Sequence, residues 1–335
     1  VSLVDGYDLV IFDLDGVVYL GTDPVPGAPE AIRSLVAAGT PVVYATNNAS
    51  RSAADVARLL GVLGLPATSE QVVTSAGAAA DVLASQLPSA APVLVVGAPA
   101  LADEVRRVGL TPVDEAEARP VAVVQGYGAQ VGWAQLAEAC VAIRAGAQWV
   151  ATNTDATLPS PRGPLPGNGS LVAALSTALG GRVPDTVVGK PHPQLFALAT
   201  RRLGAKRPLV VGDRLDTDIA GAVNAGIASL LVLTGVARPV DLLRAPTGQR
   251  PTYVATDLSG LSQSDSAVRI PAWDGAASLG GWRATVDGVH IGLSGDGHPD
   301  DAIRVLAAAA EGCPQWTDMR PDGPAASRVL SALRL

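Results

Sequence analysis

Short apolar runs alternate with segments of helical periodicity along most of the chain, the pattern of an α/β fold built on parallel strands. Leu9-Val10-Ile11-Phe12 is a continuous apolar run of strand length, stopped by Asp13. A run without polar alternation suits a strand covered on both faces. The spacing then predicts a helix over 29–38, with Gly39 placed to end it. Pro41 to Ala45 reads as a second strand, stopped by Thr46-Asn47-Asn48, and a helix is expected over 52–63. Much later, Pro208 to Val211 ends in Gly212-Asp213, with a helix expected over 217–224 and a strand over 229–233. Three apolar strands thus end in polar residues. Open parallel sheets bind their ligands at that edge.

About 140 residues separate Thr46 from Lys190, far more than one crossover needs. The interval has its own strand candidates at 93–96, 121–124 and 148–152, and helices are expected over 100–108, 133–145 and 170–179. Residues 81–181 therefore read as a separate α/β domain inserted into a discontinuous core of 1–80 and 182–258; one long continuous sheet is the alternative. Beyond Leu258 the texture changes. Ser259 to Asp265 reads as a polar linker, and Asp287-Gly288 between two apolar-alternating runs reads as a hairpin turn. Asp300-Asp301 then open a helix. Residues 265–335 make a small C-terminal α+β extension, too small to bury a sizeable core alone, so it is expected to dock on the core or pair with another copy.

Composition narrows the partners. With 24 basic against 31 acidic side chains, the net charge of −7 argues against nucleic acid as a ligand. No apolar stretch approaches the roughly 18–20 residues of a membrane span. The first eight residues carry two Asp and no basic segment, so a secretory signal is not expected and the location is read as cytoplasmic. Cys140 and Cys313 are too few for a disulfide framework. Only Lys190 and Lys206 are lysines, a scarcity that draws attention to each.

Four short motifs carry candidate chemistry. Asp13-Leu14-Asp15-Gly16 sets two carboxylates two residues apart, so that one can attack while the other handles a proton; ordinary turn chemistry is the alternative. Thr46-Asn47-Asn48 offers a hydroxyl and backbone N–H groups to an anion, or simply caps the next helix. Gly189-Lys190-Pro191 holds a lysine in a stiffened turn, where a compact charge suits a phosphoryl oxygen. Gly212-Asp213-Arg214-Leu215-Asp216-Thr217-Asp218 offers carboxylates to a hard cation such as Mg²⁺, or acid to a helix start.

Taken together and in this order, the four motifs resemble those of the haloacid dehalogenase superfamily across about residues 8–240. The resemblance implies a Rossmann-like parallel sheet core. The position of the insertion, Ala151-Thr152-Asn153-Thr154-Asp155 and Pro166-Gly167-Asn168-Gly169-Ser170 are similar to the NagD-like, phosphoglycolate and p-nitrophenyl phosphatase branch with its C2-type cap. Two departures lie in the cap: Thr154 where the branch commonly has Pro, and Gly128 after Val-Gln-Gly-Tyr where it commonly has Asp.

The resemblance implies a Mg²⁺-dependent hydrolase of small phosphorylated metabolites. Asp13 would be the nucleophile that forms an aspartyl-phosphate, and Asp15 the acid and base. Thr46, Asn47 and Lys190 would hold the phosphoryl oxygens. Asp13, the Asp15 carbonyl and Asp213 would hold the metal, with Asp218 on its water. Asn153, Asp155 and Arg162 would meet the substrate. Similarity across core, cap and tail to the glycerol-3-phosphate phosphatases of the branch implies glycerol 3-phosphate as substrate, with phosphoglycolate the rival. The extension resembles an acyltransferase-like (GNAT-like) fragment, which licenses no activity. A homo-oligomer fits this reading. A phosphotransferase could use the same carboxylates, whereas a silent phospholigand sensor is disfavoured by the retention of both. A nucleotide-dependent oxidoreductase is set aside because no Gly-x-Gly-x-x-Gly follows the first strand.

Overall fold

The computed structural model describes residues 2–158, 160 and 162–335. The chain forms two compact units, Val1–Val42 with Gly204–Leu335 and Val43–Leu203.

In the first unit the strands Leu9–Phe12, Pro208–Gly212, Ala228–Val232 and Tyr253–Ala255 lie side by side in that order, all parallel. Their near-continuous apolar character follows from cover on both faces: all four residues of Leu9–Phe12 and all five of Pro208–Gly212 are buried. Leu9 pairs with Pro208 and Phe12 with Val211, so the two strands end level. Asp13 N–H still donates to Val211 O at 2.9 Å, which fixes Asp13 just past the carboxyl edge beside Gly212-Asp213.

The extension belongs to this unit. Ala276–Leu279, Trp282–Asp287, His290–Gly295 and Asp318–Asp322 form a four-stranded sheet whose last pair is parallel, backed by the helices Pro299–Gly312 and Pro324–Ala332. One buried cluster joins Leu231, Leu242, Leu243 and Val254 of the core to Trp282, Ile291, Leu293, Ile303 and Leu306 of the extension. The extension therefore docks on its own chain. The stretch after Leu258 is not a free linker: Leu258–Ser262 is a 3-10 helix that buries Leu258 and Leu261, and Asp265–Val268 is helical. The hairpin turn lies one residue further on than expected. Asp287 pairs with His290, so Gly288-Val289 is the loop, and the positive φ of Gly288 (60°) suits the first turn position.

The second unit contains Val43 to Thr46 of the strand Val42–Thr46, paired in parallel with Val72–Thr74. It also holds a separate parallel sheet in the order Thr186–Val187, Gln148–Ala151, Ala122–Gln125, Pro92–Val96 and Thr111–Val113. The helices Trp133–Arg144 and Asn168–Ala178 pack Ala139, Ile143, Val172 and Leu175 against Leu94, Val96, Val123 and Trp149. Thr74 caps the helix Ser75–Gln86 through Gly77 N–H at 3.1 Å, and Ser52 with Asp55 forms a capping box on Ala53–Val62. Among the described residues no helix is long and apolar enough to cross a membrane.

Candidate active site

Each unit carries one group of the expected site residues. In the first, Asp13, Asp213 and Asp218 offer carboxylate oxygens that all lie within 4.8 Å of one another. Asp213 and Asp218 are 0% and 1% exposed, and Asp13 is 9% exposed. Three carboxylates this close and this buried repel one another unless a cation or protons sit among them. Glycines make the room. A Cβ on Gly16 would stand 2.4 Å from Asp213 Oδ2, one on Gly235 2.0 Å from the same atom, and one on Gly212 2.2 Å from Asp218 Cβ. Val236 N–H donates to Asp213 Oδ2 at 2.7 Å and Arg214 N–H to Asp218 Oδ2 at 3.1 Å, which fixes both carboxylates.

Asp218 does not stand in an ordinary helix. The expected α-helix over 217–224 is instead the π-helical turn Leu215–Ile219, closed by Ile219 N–H to Arg214 O at 3.1 Å, followed by Ala220–Ala225. Such wide turns recur at functional sites. Here the turn carries Asp218 inward against Gly212 and leaves Asp216 outside. Burial raises the pKa of Asp216, but the hydrogen bonds and charge of Arg214 outweigh it and hold the carboxyl below its usual value. The two side chains pair at 3.1 and 2.8 Å. Asp15 is exposed in the loop after Asp13, where Gly16 N–H donates to Tyr19 O at 2.8 Å and Thr234 Oγ1 donates to Gly16 O at 2.6 Å.

In the second unit, Thr46 ends its strand almost fully buried and its Oγ1 accepts from Asn48 N–H at 3.1 Å. Lys190 is 3% exposed, with Nζ donating to Ala45 O at 3.2 Å. Asn47 sits between them. Its Oδ1 accepts from Lys190 N–H at 2.8 Å, and its Nδ2 donates to Lys190 O at 3.0 Å and to Asp155 Oδ2 at 3.1 Å. Its backbone carbonyl accepts from Asn153 Nδ2 at 2.7 Å and Ser75 Oγ at 2.6 Å. The structure thus brings Thr46, Asn47, Lys190, Asn153 and Asp155 together. Arg162 instead lies exposed in a turn whose bonds are local, its N–H donating to Ser160 Oγ at 3.1 Å.

Two contributors carry no signal in the sequence: Gly235-Val236 beside Asp213, and Ser75 on the Asn47 carbonyl. A glycine after a strand and a lone serine are too common to signal a site. Asn168 appeared only as part of a motif, yet its Nδ2 donates to Asn153 O at 2.7 Å.

Comparison with known proteins places the chain in a family. The model of the haloacid dehalogenase-like hydrolases matches residues 10–111, and a second model, described as HAD-hydrolase-like, matches 187–261. The chain belongs to the haloacid dehalogenase-like hydrolases and is an enzyme of that class. It is 49% identical over 300 residues to D-glycerol 3-phosphate phosphatase of Mycobacterium tuberculosis, covering 90% of this chain and 82% of that protein. The crystal structure of glycerol phosphate phosphatase from Mycobacterium tuberculosis in complex with magnesium matches with a TM-score of 0.93 at 44% identity, over 99% of this chain and 98% of that one. The 5′-nucleotidase YutF of Bacillus subtilis is 38% identical over 255 residues, 76% of this chain and 96% of that protein.

Proposed function

We propose that the protein is a Mg²⁺-dependent phosphatase that hydrolyses glycerol 3-phosphate to glycerol and phosphate. The observation that carries this reading is the buried Asp13, Asp213 and Asp218 cluster, an all-oxygen donor set with room kept open by glycine. The substrate is favoured by extent of similarity. The glycerol phosphate phosphatase of Mycobacterium tuberculosis matches nearly the whole chain, extension included, whereas the 5′-nucleotidase matches three quarters of it.

We assign the roles as follows. The donor set fits Mg²⁺. The Asp13 carboxylate, the Asp15 carbonyl and Asp213 would hold the ion, with Asp218 facing a water bound to it. When bound, the cation offsets the repulsion among these carboxylates and the negative charge of the substrate. The Asp13 carboxylate attacks phosphorus, forming an acyl-phosphate bond as the ester C–O–P bond breaks on the phosphorus side. Asp15 gives its proton to the departing alkoxide, then takes one from the water that attacks the aspartyl-phosphate and regenerates Asp13. Thr46 and Lys190 hold the phosphoryl oxygens as charge gathers on them. Asn47, whose side chain is engaged with Lys190 and Asp155, offers backbone N–H. Residues 1–80 with 182–258 form the catalytic core in this reading, 81–181 the inserted cap and 265–335 the extension. We place the enzyme in the cytoplasm, handling glycerol 3-phosphate from glycerophospholipid turnover.

Phosphate release from glycerol 3-phosphate, phosphoglycolate, a 5′-nucleotide and p-nitrophenyl phosphate, with Mg²⁺ and again with chelator, tests the proposal. The highest kcat/KM is expected for glycerol 3-phosphate, with loss of turnover under chelation. A clear preference for phosphoglycolate or the nucleotide overturns the substrate, and metal-independent turnover overturns the site.

A further inference from the structure

The side chain of Asn47 has spent its polar groups on protein. Both amide N–H bonds are used, one on Lys190 O and one on Asp155 Oδ2, while Oδ1 takes Lys190 N–H. A single amide thus grips the backbone of Lys190 at two points, as a neighbouring strand would. The grip is itself held. The Asn47 carbonyl takes hydrogen bonds from Asn153 Nδ2 and Ser75 Oγ, filling its two lone pairs. Asn153 Oδ1 accepts from Asp155 N–H at 3.2 Å, and Asn153 O accepts from Asn168 Nδ2. Gly169 N–H donates to Asp155 O at 2.8 Å. The packing leaves no slack: a Cβ on Gly189 would stand 2.6 Å from Thr152 O, and one on Gly169 2.2 Å from Thr154 O.

We propose that Asn47, Asn153 and Asp155 are positioning residues for Lys190, and that the two polar motifs of the insertion, 152–155 and 166–170, hold the phosphate-anchoring loop. This takes the place of the substrate contact that the resemblance implies for Asn153 and Asp155, and it rests on the phosphatase reading. Lysine carries its charge on a flexible four-carbon stem, so the ammonium can be aimed only if the backbone beneath it is fixed. Aim matters most in the transition state, where charge builds on the phosphoryl oxygens. Loosening the clamp therefore lowers kcat with little effect on KM, whatever alcohol the phosphate carries.

The test uses the full-length protein with two esters, glycerol 3-phosphate and p-nitrophenyl phosphate. Asp155→Ala is expected to lower kcat about tenfold on both, with KM changed less than about twofold. Asp155→Asn keeps an acceptor oxygen for Asn47 and is expected to restore most of the loss. A loss confined to glycerol 3-phosphate, or carried by a raised KM, overturns the proposal in favour of substrate contact. Hydrogen exchange of the Lys190 amide in Asn47→Ala reads the clamp without turnover. At least about tenfold faster exchange there, with protection kept in the sheet around Trp149, is expected. Unchanged exchange at Lys190 overturns the clamp. If the wild type cleaves neither ester, the phosphatase reading fails and this exchange measurement still decides the clamp.

Discussion

Asp13 and Asp15 are two residues apart and differ in setting: Asp13 is almost buried against Val211, and Asp15 is exposed. That asymmetry suits a fixed nucleophile and a proton carrier that meets both alcohol and water. Asp13→Asn is expected to cut kcat by about four orders of magnitude or more with the circular dichroism unchanged. Turnover within tenfold of wild type would sink the covalent route. Asp15→Asn is expected to harm glycerol 3-phosphate far more than p-nitrophenyl phosphate, whose leaving group needs no proton, by a margin of about 10². Equal losses would count against the acid role. Gly235 makes a different kind of contribution. With no positive φ to complicate the substitution, Gly235→Ala drives a methyl to 2.0 Å from Asp213 Oδ2 and must displace that carboxylate. The concentration of Mg²⁺ giving half-maximal activity should rise at least about tenfold. An unchanged Mg²⁺ titration would show that Asp213 is not a ligand.

At the scale of elements, the helix Pro299–Gly312 bears most weight in the extension. Its alanines let it approach closely, and Arg304 runs through the contact at 2% exposure. Arg304 donates to Val254 O at 2.9 Å and to Asp301 Oδ1 at 2.7 Å, with Asp300 at 3.7 Å. Arg304→Ala removes a guanidinium set between two largely buried carboxylates and a core strand. Unfolding by urea should show a loss of about 3 kcal/mol. A change below about 0.5 kcal/mol would mean that the pair contributes no more than a surface pair does.

At the scale of the whole molecule, docking of the extension carries a consequence for truncation. Ending the chain after Leu258 would strip cover from Leu231, Leu242, Leu243 and Val254, which lie in one cluster with Trp282, Ile303 and Leu306. The truncated protein should keep Asp13, Asp15, Asp213 and Asp218 and some phosphatase activity, yet melt well below the full chain and bind a hydrophobic dye. A melting temperature equal to that of the full chain would show that the shared cluster contributes little. A truncation that folds normally but is inert would assign the extension a part in the active site.

Local pattern was enough to place the strands Leu9–Phe12, Val42–Thr46 and Pro208–Gly212 and the polar motifs that end them. Continuous apolar runs exclude water on both faces, and a charged residue can follow only where the sheet stops. The three-residue strands Val72–Thr74, Thr111–Val113 and Tyr253–Ala255 escaped notice because segments so short have no period to read. The π-turn at Leu215–Ile219 escaped for another reason: a helical pattern does not say which carboxylate will turn inward. What the sequence determined by itself was therefore the set of chemical groups, their order and the strand ends that carry them. Only tertiary structure decided what each group touches. Asn47 meets Asp155 across 108 positions and Lys190 across 143, and Thr234 meets Gly16 across 218. Such contacts are chosen by how whole elements pack, and no local periodicity records them. The space that glycine leaves beside Asp213 is likewise decided in three dimensions, because its walls come from Gly16 and Gly235, more than two hundred residues apart.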